Sequence, residues 1–241
     1  METNEQRPIN DFPSVMEAVL KAIREKDFEQ AAILASLAYN LAPNLSEQAR
    51  AARDLSAAYR HQGDYDESEK WATEAVEQHK ALVEEEENRS TLRELGASVA
   101  TLGTLQLQLI VTDPSYDNQE NSQRATENLS KGLRYIEESR KHATDKDRKI
   151  EQYDINFTAR TGFAEALAGD TKRSLALGAR AVRLAFLPES PKIDTSNPNM
   201  AIEERFKAKA RALMRGVGAV AVAAVAPFNR ELAKSIVKKL N

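Results

Sequence analysis

Apolar and small residues return at three- and four-residue steps along most of this chain, the spacing that lines one face of an α-helix. Between residues 49 and 80, Leu55, Ser56 and Tyr59 share one face of a first helix. Gly63-Asp64-Tyr65 mark a turn, and Ser68, Ala72 and Ala75 line a second helix. Small residues at 56, 68, 72 and 75 allow two backbones to approach closely, while the tyrosines fill the wedge between them. The same plan recurs from Phe12 to Asn44, with Lys26-Asp27-Phe28 at the turn and Ala31, Ala35 and Ala38 beyond it. Pro43 stops that second helix because it cannot continue the hydrogen-bond ladder. A third hairpin starts near Arg89 with Leu92, Leu95, Gly96 and Gly103-Thr104-Leu105, and its first helix runs on to about Val111. The loop 112–119 leads to a helix through Ala125, Leu129, Leu133 and Ile136. A fourth hairpin spans about Ile155 to Phe186, with Gly162, a Gly169-Asp170 turn, Ser174, Gly178 and Ala181.

Residues 187–199 carry three prolines and read as a linker. After them, Phe206, Ala210, Leu213, Val217, Val220 and Ala224 predict an amphipathic helix that Pro227 ends or kinks. A last short helix places Leu232, Ile236 and Leu240 on one side and Arg230, Lys234 and Lys238 on the other. A lone helical hairpin cannot bury its own apolar face, so each needs neighbours and the terminal one needs a cap. The run Gly216–Ala226, apolar almost all round, predicts a capping helix buried on several sides. The expected organisation is a flexible N-terminus over 1–11, a repeat domain over 12–186, the linker over 187–199 and capping helices over 200–241.

Composition sharpens this picture in four places. The 241 residues are 41% hydrophobic and 29% charged, with only 9 Gly and 8 Pro, which suits a soluble globular chain without long linkers. There is no Cys, so no disulfide, thiol nucleophile or thiolate metal site exists. The polar start METNEQRPINDFPSVM lacks an apolar core, and no apolar run nears the roughly 20 residues that span a bilayer. A cytoplasmic protein is expected. Charge is uneven: from Glu203 onward there are nine Lys/Arg against three Glu, leaving that end at +6 and the remainder at −9 of a net −3. Such asymmetry points to an acidic partner, a membrane surface or an intramolecular contact.

Little in the sequence nominates catalysis. His61, His79 and His142 have no ligand-like partner at metal-binding spacing, and the first two are expected near helix ends in water. Glu84–Glu87 point around a helix axis and do not converge on an ion. Gly216-Val217-Gly218 sits within a helical pattern, whereas a dinucleotide loop needs a preceding strand. No enzyme activity, cofactor or metal is expected.

The hairpin at 49–80 resembles the tetratricopeptide repeat (TPR), whose consensus puts Leu-Gly, Tyr, Gly, Tyr/Phe and Ala at these spacings. The resemblance covers residues 12–186 and is strongest at 49–80. It implies an all-α right-handed solenoid of about four hairpins, with first helices lining a concave groove. In the family, the second, fifth, ninth, twelfth and thirteenth positions of those helices face a bound peptide. In the second repeat these are Arg50, Arg53, Ala57, Arg60 and His61. The first repeat offers Met16, Leu20, Ile23 and Arg24, the third Arg93, Ala97 and Ala100, and the fourth Asn156, Ala159 and Phe163. Arginines presenting planar donors suit carboxylates, so an acidic peptide or helix with apolar anchors is the expected ligand, and no nucleic acid is. The family's two-carboxylate clamp for chaperone tails is not matched, since Met16, Leu20, Ala57 and Ala97 occupy its polar positions. The function implied is a non-enzymatic adaptor or assembly factor. The alternative is a structural subunit that docks its basic, apolar C-terminal helices onto a larger complex or an anionic membrane.

Overall fold

The computed structural model describes residues 11–142, 152–186 and 198–240. Among the described residues there are ten helices and no strand. They are α1 (Phe12–Glu25), α2 (Phe28–Leu41), α3 (Leu45–Gln62), α4 (Tyr65–Glu85), α5 (Arg89–Thr112), α6 (Gln119–Lys141), α7 (Gln152–Ala168), α8 (Thr171–Phe186), α9 (Pro198–Val225) and α10 (Arg230–Leu240). Each consecutive pair forms an antiparallel hairpin, at the four places the periodicity predicted and once more at the C-terminal end. The N-terminal tail before 11 and the expected linker up to 197 fall outside the described residues. The chain groups into two compact units, Met1–Glu87 and Asn88–Asn241.

Three of the five hairpin turns share one chemical device. Lys26, Gly63 and Gly169 each adopt a left-handed backbone, with φ of 62°, 86° and 100°. Each is followed by an Asp whose carboxylate caps the next helix: Asp27 accepts from Gln30 N at 3.1 Å, Asp64 from Glu67 N at 3.2 Å and Asp170 from Arg173 N at 2.9 Å. The first residue closes one helix through its orphan carbonyls, and the second opens the next by satisfying an orphan N–H. Four residues after the Asp comes a small side chain at the crossing. Ser68 Oγ donates to Ser56 O at 2.8 Å, and Ser174 Oγ donates to Gly162 O at 2.7 Å. In the first hairpin Ala31, fully buried, holds the corresponding place.

In the N-terminal unit, Phe12, Val15, Met16, Val19 and Ala22 of α1 meet Ala31, Ala32, Ala35 and Ala38 of α2 and Ala51, Leu55 and Ala58 of α3 in one core. Tyr39 packs edge-on against Trp71 at 5.0 Å, with its hydroxyl donating to Glu74 at 3.1 Å. His79, expected near a helix end in water, instead lies within α4, only 1% exposed, with Nδ1 2.9 Å from Ala75 O. It follows Ser68, Ala72 and Ala75 along the inward face of α4, so helical phase overrides its polarity.

The C-terminal unit is built on a closer crossing. A Cβ at Gly132 of α6 would stand 2.8 Å from both Ala100 Cβ and Gly96 O of α5. Only hydrogen fits there, which explains a third hairpin longer than its neighbours yet tightly joined. One described helix, α5, is long and apolar enough to cross a membrane, contrary to the expectation from apolar runs, because Thr, Ser, Gly and Gln interleave its apolar residues. In the protein 72% of that apolar window is buried, as in a core helix. The run 216–226 is buried on fewer sides than expected: Val217 and Val220 are exposed, while Gly216 backs onto Val182 and Ala219, Val222 and Ala223 enter the core.

Candidate partner-binding surfaces

In the N-terminal unit, α3 divides its circumference three ways. Ala51, Leu55 and Ala58 join the core shared with α1 and α2, and Ala49, Ala52 and Ser56 form a second buried side, from which Ser56 bonds α4. The remaining third carries Arg50, Arg53, Ala57, Arg60 and His61, spaced by three, four, three and one, all partly or wholly exposed. Arg50 is already engaged with Glu47 of its own helix at 3.8 Å, and Arg53 also has an interaction within the chain.

Arg60 is chemically the most unusual of the set. Its Nη2 lies 3.4 Å from His61 Nε2, while its Nε is shielded from water and has no hydrogen-bond partner. Burial lowers the affinity of this guanidinium for its proton, and nearby Tyr65 opposes that shift. His61 is held by stacking on Phe28, ring centroids 4.4 Å apart, and Gln62 Nε2 donates to Phe28 O at 2.7 Å. The end of α3 is thus rigidly placed beside the start of α2, with an under-used, weakly hydrated donor in it.

The α1 residues divide differently. Leu20 is 40% exposed and Arg24, one turn on, is exposed. Ile23 is half-buried against the core. Met16 is only 4% exposed and belongs to the core itself. It does not line a surface, because it shares the inward phase of Phe12 and Val19. Arg93 belongs to the other unit, on α5, where it is partly buried and engaged within the chain.

In the C-terminal unit the predicted groove positions are occupied from within. Ala97 and Ala100 are buried beside α6, and Ala159 packs with Ala181 of α8. Phe163, fully buried, and Asn156 face the C-terminal helices. Helix α10 packs on α5, α7 and α9, the first helix of each hairpin in this unit. Near its start, Arg230 donates to Leu167 O at the end of α7 and to Ser122 Oγ at 2.9 Å. Near its end, Leu240 O accepts from Arg215 Nε at 3.0 Å, and the same guanidinium donates to Asn156 Oδ1 at 2.6 Å near the start of α7. Helix α10 therefore runs antiparallel to α7 along the first-helix side.

The buried face of α10 is rotated from the one expected. Ala233 and Val237 are buried, Ile236 and Leu240 pack against the same core, and Leu232 is 50% exposed. Lys234, expected on the polar side, is 9% exposed and reaches Asp117 at 2.9 Å, where Arg230 also binds at 2.6 Å. Burial pushes the Asp117 carboxyl up, but the hydrogen bonds and charges of Arg230 and Lys234 outweigh it and hold the group below its ordinary value. Part of the C-terminal positive charge is thus spent inside the protein. Glu165 of α7, 3% exposed, shows the opposite balance: burial raises it above the ordinary carboxylate value despite Arg173 at 2.8 Å. Among the described residues, no group of three or more His, Cys, Asp or Glu gathers as metal ligands.

No family model and no curated protein matches the sequence. Solved structures do match the fold. A putative kinesin light chain of Podosopora anserina, built of nearly identical TPR-like repeats, superposes with a TM-score of 0.56 at 13% identity, covering 98% of this chain and 95% of that one. A variant form of the same protein superposes at 0.57 and 13% identity, covering 95% of this chain and 92% of that one. The likeness spans the full set of hairpins and rests on architecture, since so few residues are shared. The chain has the all-α solenoid fold of TPR-like repeats.

Proposed function

We propose that this protein is a non-enzymatic, cytoplasmic interaction module, an adaptor or assembly factor that grips an acidic peptide or helix on the α1–α3 surface of its N-terminal unit. The TPR-like fold supports a protein-binding scaffold in general. The observation that carries the finer reading is the cationic stripe Arg50, Arg53, Arg60 on the third side of α3, each at least partly exposed. Partner carboxylates meeting the exposed parts of these guanidiniums would form charge-assisted bonds, which are stronger than neutral ones. Leu20 and the edge of Ile23 on α1 offer contact for an apolar anchor.

The test is a binding titration of a fluorescent, Asp/Glu-rich peptide with leucines one turn apart, against the wild type and Arg50→Ala/Arg53→Ala/Arg60→Ala. The triple variant is expected to lose at least about tenfold in affinity, from about 1.4 kcal/mol or more of lost charge-assisted bonding. Wild-type binding should also weaken as salt rises. Equal affinity of the two proteins at low salt refutes the proposal.

A further inference from the structure

We propose that α10 is an internal ligand seated in a helix-binding site on the first-helix side of the C-terminal unit, and that a partner's cationic amphipathic helix competes for that site. This seat is separate from the arginine surface of α3: it lies in the other unit and takes a partner of opposite charge.

Three observations carry it. The first is position. As the closing helix of a fifth hairpin, α10 would be expected simply to pair with α9. Instead it also lies on α5 and α7, antiparallel to α7 and over Phe163. Groove residues are those that the TPR resemblance assigns to bound peptides, and Asn156 and Phe163 are two of them.

The second is the mode of attachment. Small and medium apolar side chains, Ala233, Ile236, Val237 and Leu240, enter the core, and one ionic clamp of Arg230 and Lys234, one turn apart, holds Asp117 in the α5–α6 loop. Leu240 covers Gly218, whose missing side chain makes the seat for it, and Arg215 donates to the carbonyl at the end of the helix. Apolar positions at one-turn steps flanked by a cationic pair define a recognisable ligand pattern, and Asp117 defines its receptor. This is the helix-in-groove mode of recognition.

The third is the ease of exchange. Eleven residues are too few to hold a helix in water without its seat. The connection to α9 is the short turn 226–229, with Pro227 and an almost fully exposed Phe228. A short helix joined to the chain through one turn opens at lower cost than the long helices beneath it. The vacated seat would expose Phe163 and its neighbours, so an open state calls for a replacement occupant with matching chemistry. A second helix with the same pattern fits that requirement.

Full-length protein suffices for the test. The probe is a fluorescent peptide of residues 228–241, titrated into the wild type and into Arg230→Glu/Lys234→Glu, whose own α10 is repelled by Asp117. The double variant is expected to bind the peptide about tenfold or more tightly than the wild type, because its seat is more often vacant. A peptide carrying the same two substitutions is expected to lose that binding. No binding by the folded variant, or equal binding by both proteins, overturns the proposal. Hydrogen exchange on the wild type decides the matter should the variant fail to fold. Amides of α10 exchanging well ahead of those in α5 and α7 support an exchangeable helix, and exchange of all three in step overturns it.

Discussion

Lys26 occupies a backbone conformation that its two counterparts reserve for glycine. At φ 62° it turns the first hairpin as Gly63 and Gly169 turn the second and fourth, with its N–H bonded to Ile23 O at 3.2 Å and Asp27 N to Ala22 O at 2.9 Å. A side chain in this region costs roughly 1–2 kcal/mol, part of which glycine would give back through greater freedom of the unfolded chain. Lys26→Gly should therefore stabilise the protein by about 0.5–1 kcal/mol, measured by urea unfolding, and a loss of stability would contradict the shared-turn account. Single residues also mark what could be read in advance. The left-handed residue followed by Asp was visible at Gly63-Asp64 and Gly169-Asp170, and Lys26-Asp27 was placed at a turn without a glycine to signal it. The burial of His79 and Met16 was harder, because polarity or an analogy of position was allowed to outvote helical phase. Counting three and four residues from Ala72 and Ala75, or from Phe12 and Val19, puts both inside.

Among elements, α10 diverges most from its own sequence pattern. Leu232, Ile236 and Leu240 form a regular stripe, yet Ala233 and Val237 are the residues buried. Two apolar stripes lie close together on so short a helix, and its orientation is settled by partners far along the chain. Asp117, more than a hundred residues away, draws Lys234 inward, and Gly218 makes room for Leu240. No local pattern encodes that choice. The same ion cluster gives α10 a pH dependence with a definite sign. Asp117 is held below its ordinary value in the folded protein, so its contribution is complete above the unfolded pKa of about 3.9 and is lost as pH falls through the lower folded value. Wild type should therefore exceed Asp117→Asn in stability by roughly 1–3 kcal/mol near neutrality. Thermal unfolding at a series of pH values should show that gap close below about pH 4. A gap that persists unchanged in acid would mean the clamp contributes through packing alone.

At the scale of the whole molecule, repetition was the most legible property. Every helix predicted from three- and four-residue spacing is present, and the TPR-like likeness holds at 13% identity. The boundary at 87 between the two units left no comparable trace. The acidic run 84–87 read as a helix surface, and α4 in fact stops at Glu85, within it. The proposed function rests on how each unit disposes of its first-helix surfaces. In the N-terminal unit, arginines on α3 and exposed Leu20 and Arg24 on α1 remain accessible. In the C-terminal unit, the corresponding side is taken by α10. On the readings proposed above the two units differ, with a cationic face on α3 for carboxylates and a seat beside Asp117 filled by α10.

Nuclear magnetic resonance titration of the 15N-labelled full-length chain with the acidic, leucine-bearing peptide tests the central claim most directly. Saturable shifts are predicted at the backbone amides of residues 20–24 and 50–61 and at the Arg60 side chain, with α8 unmoved. Shifts confined to other residues, or none at concentrations where the peptide stays monomeric, would contradict it.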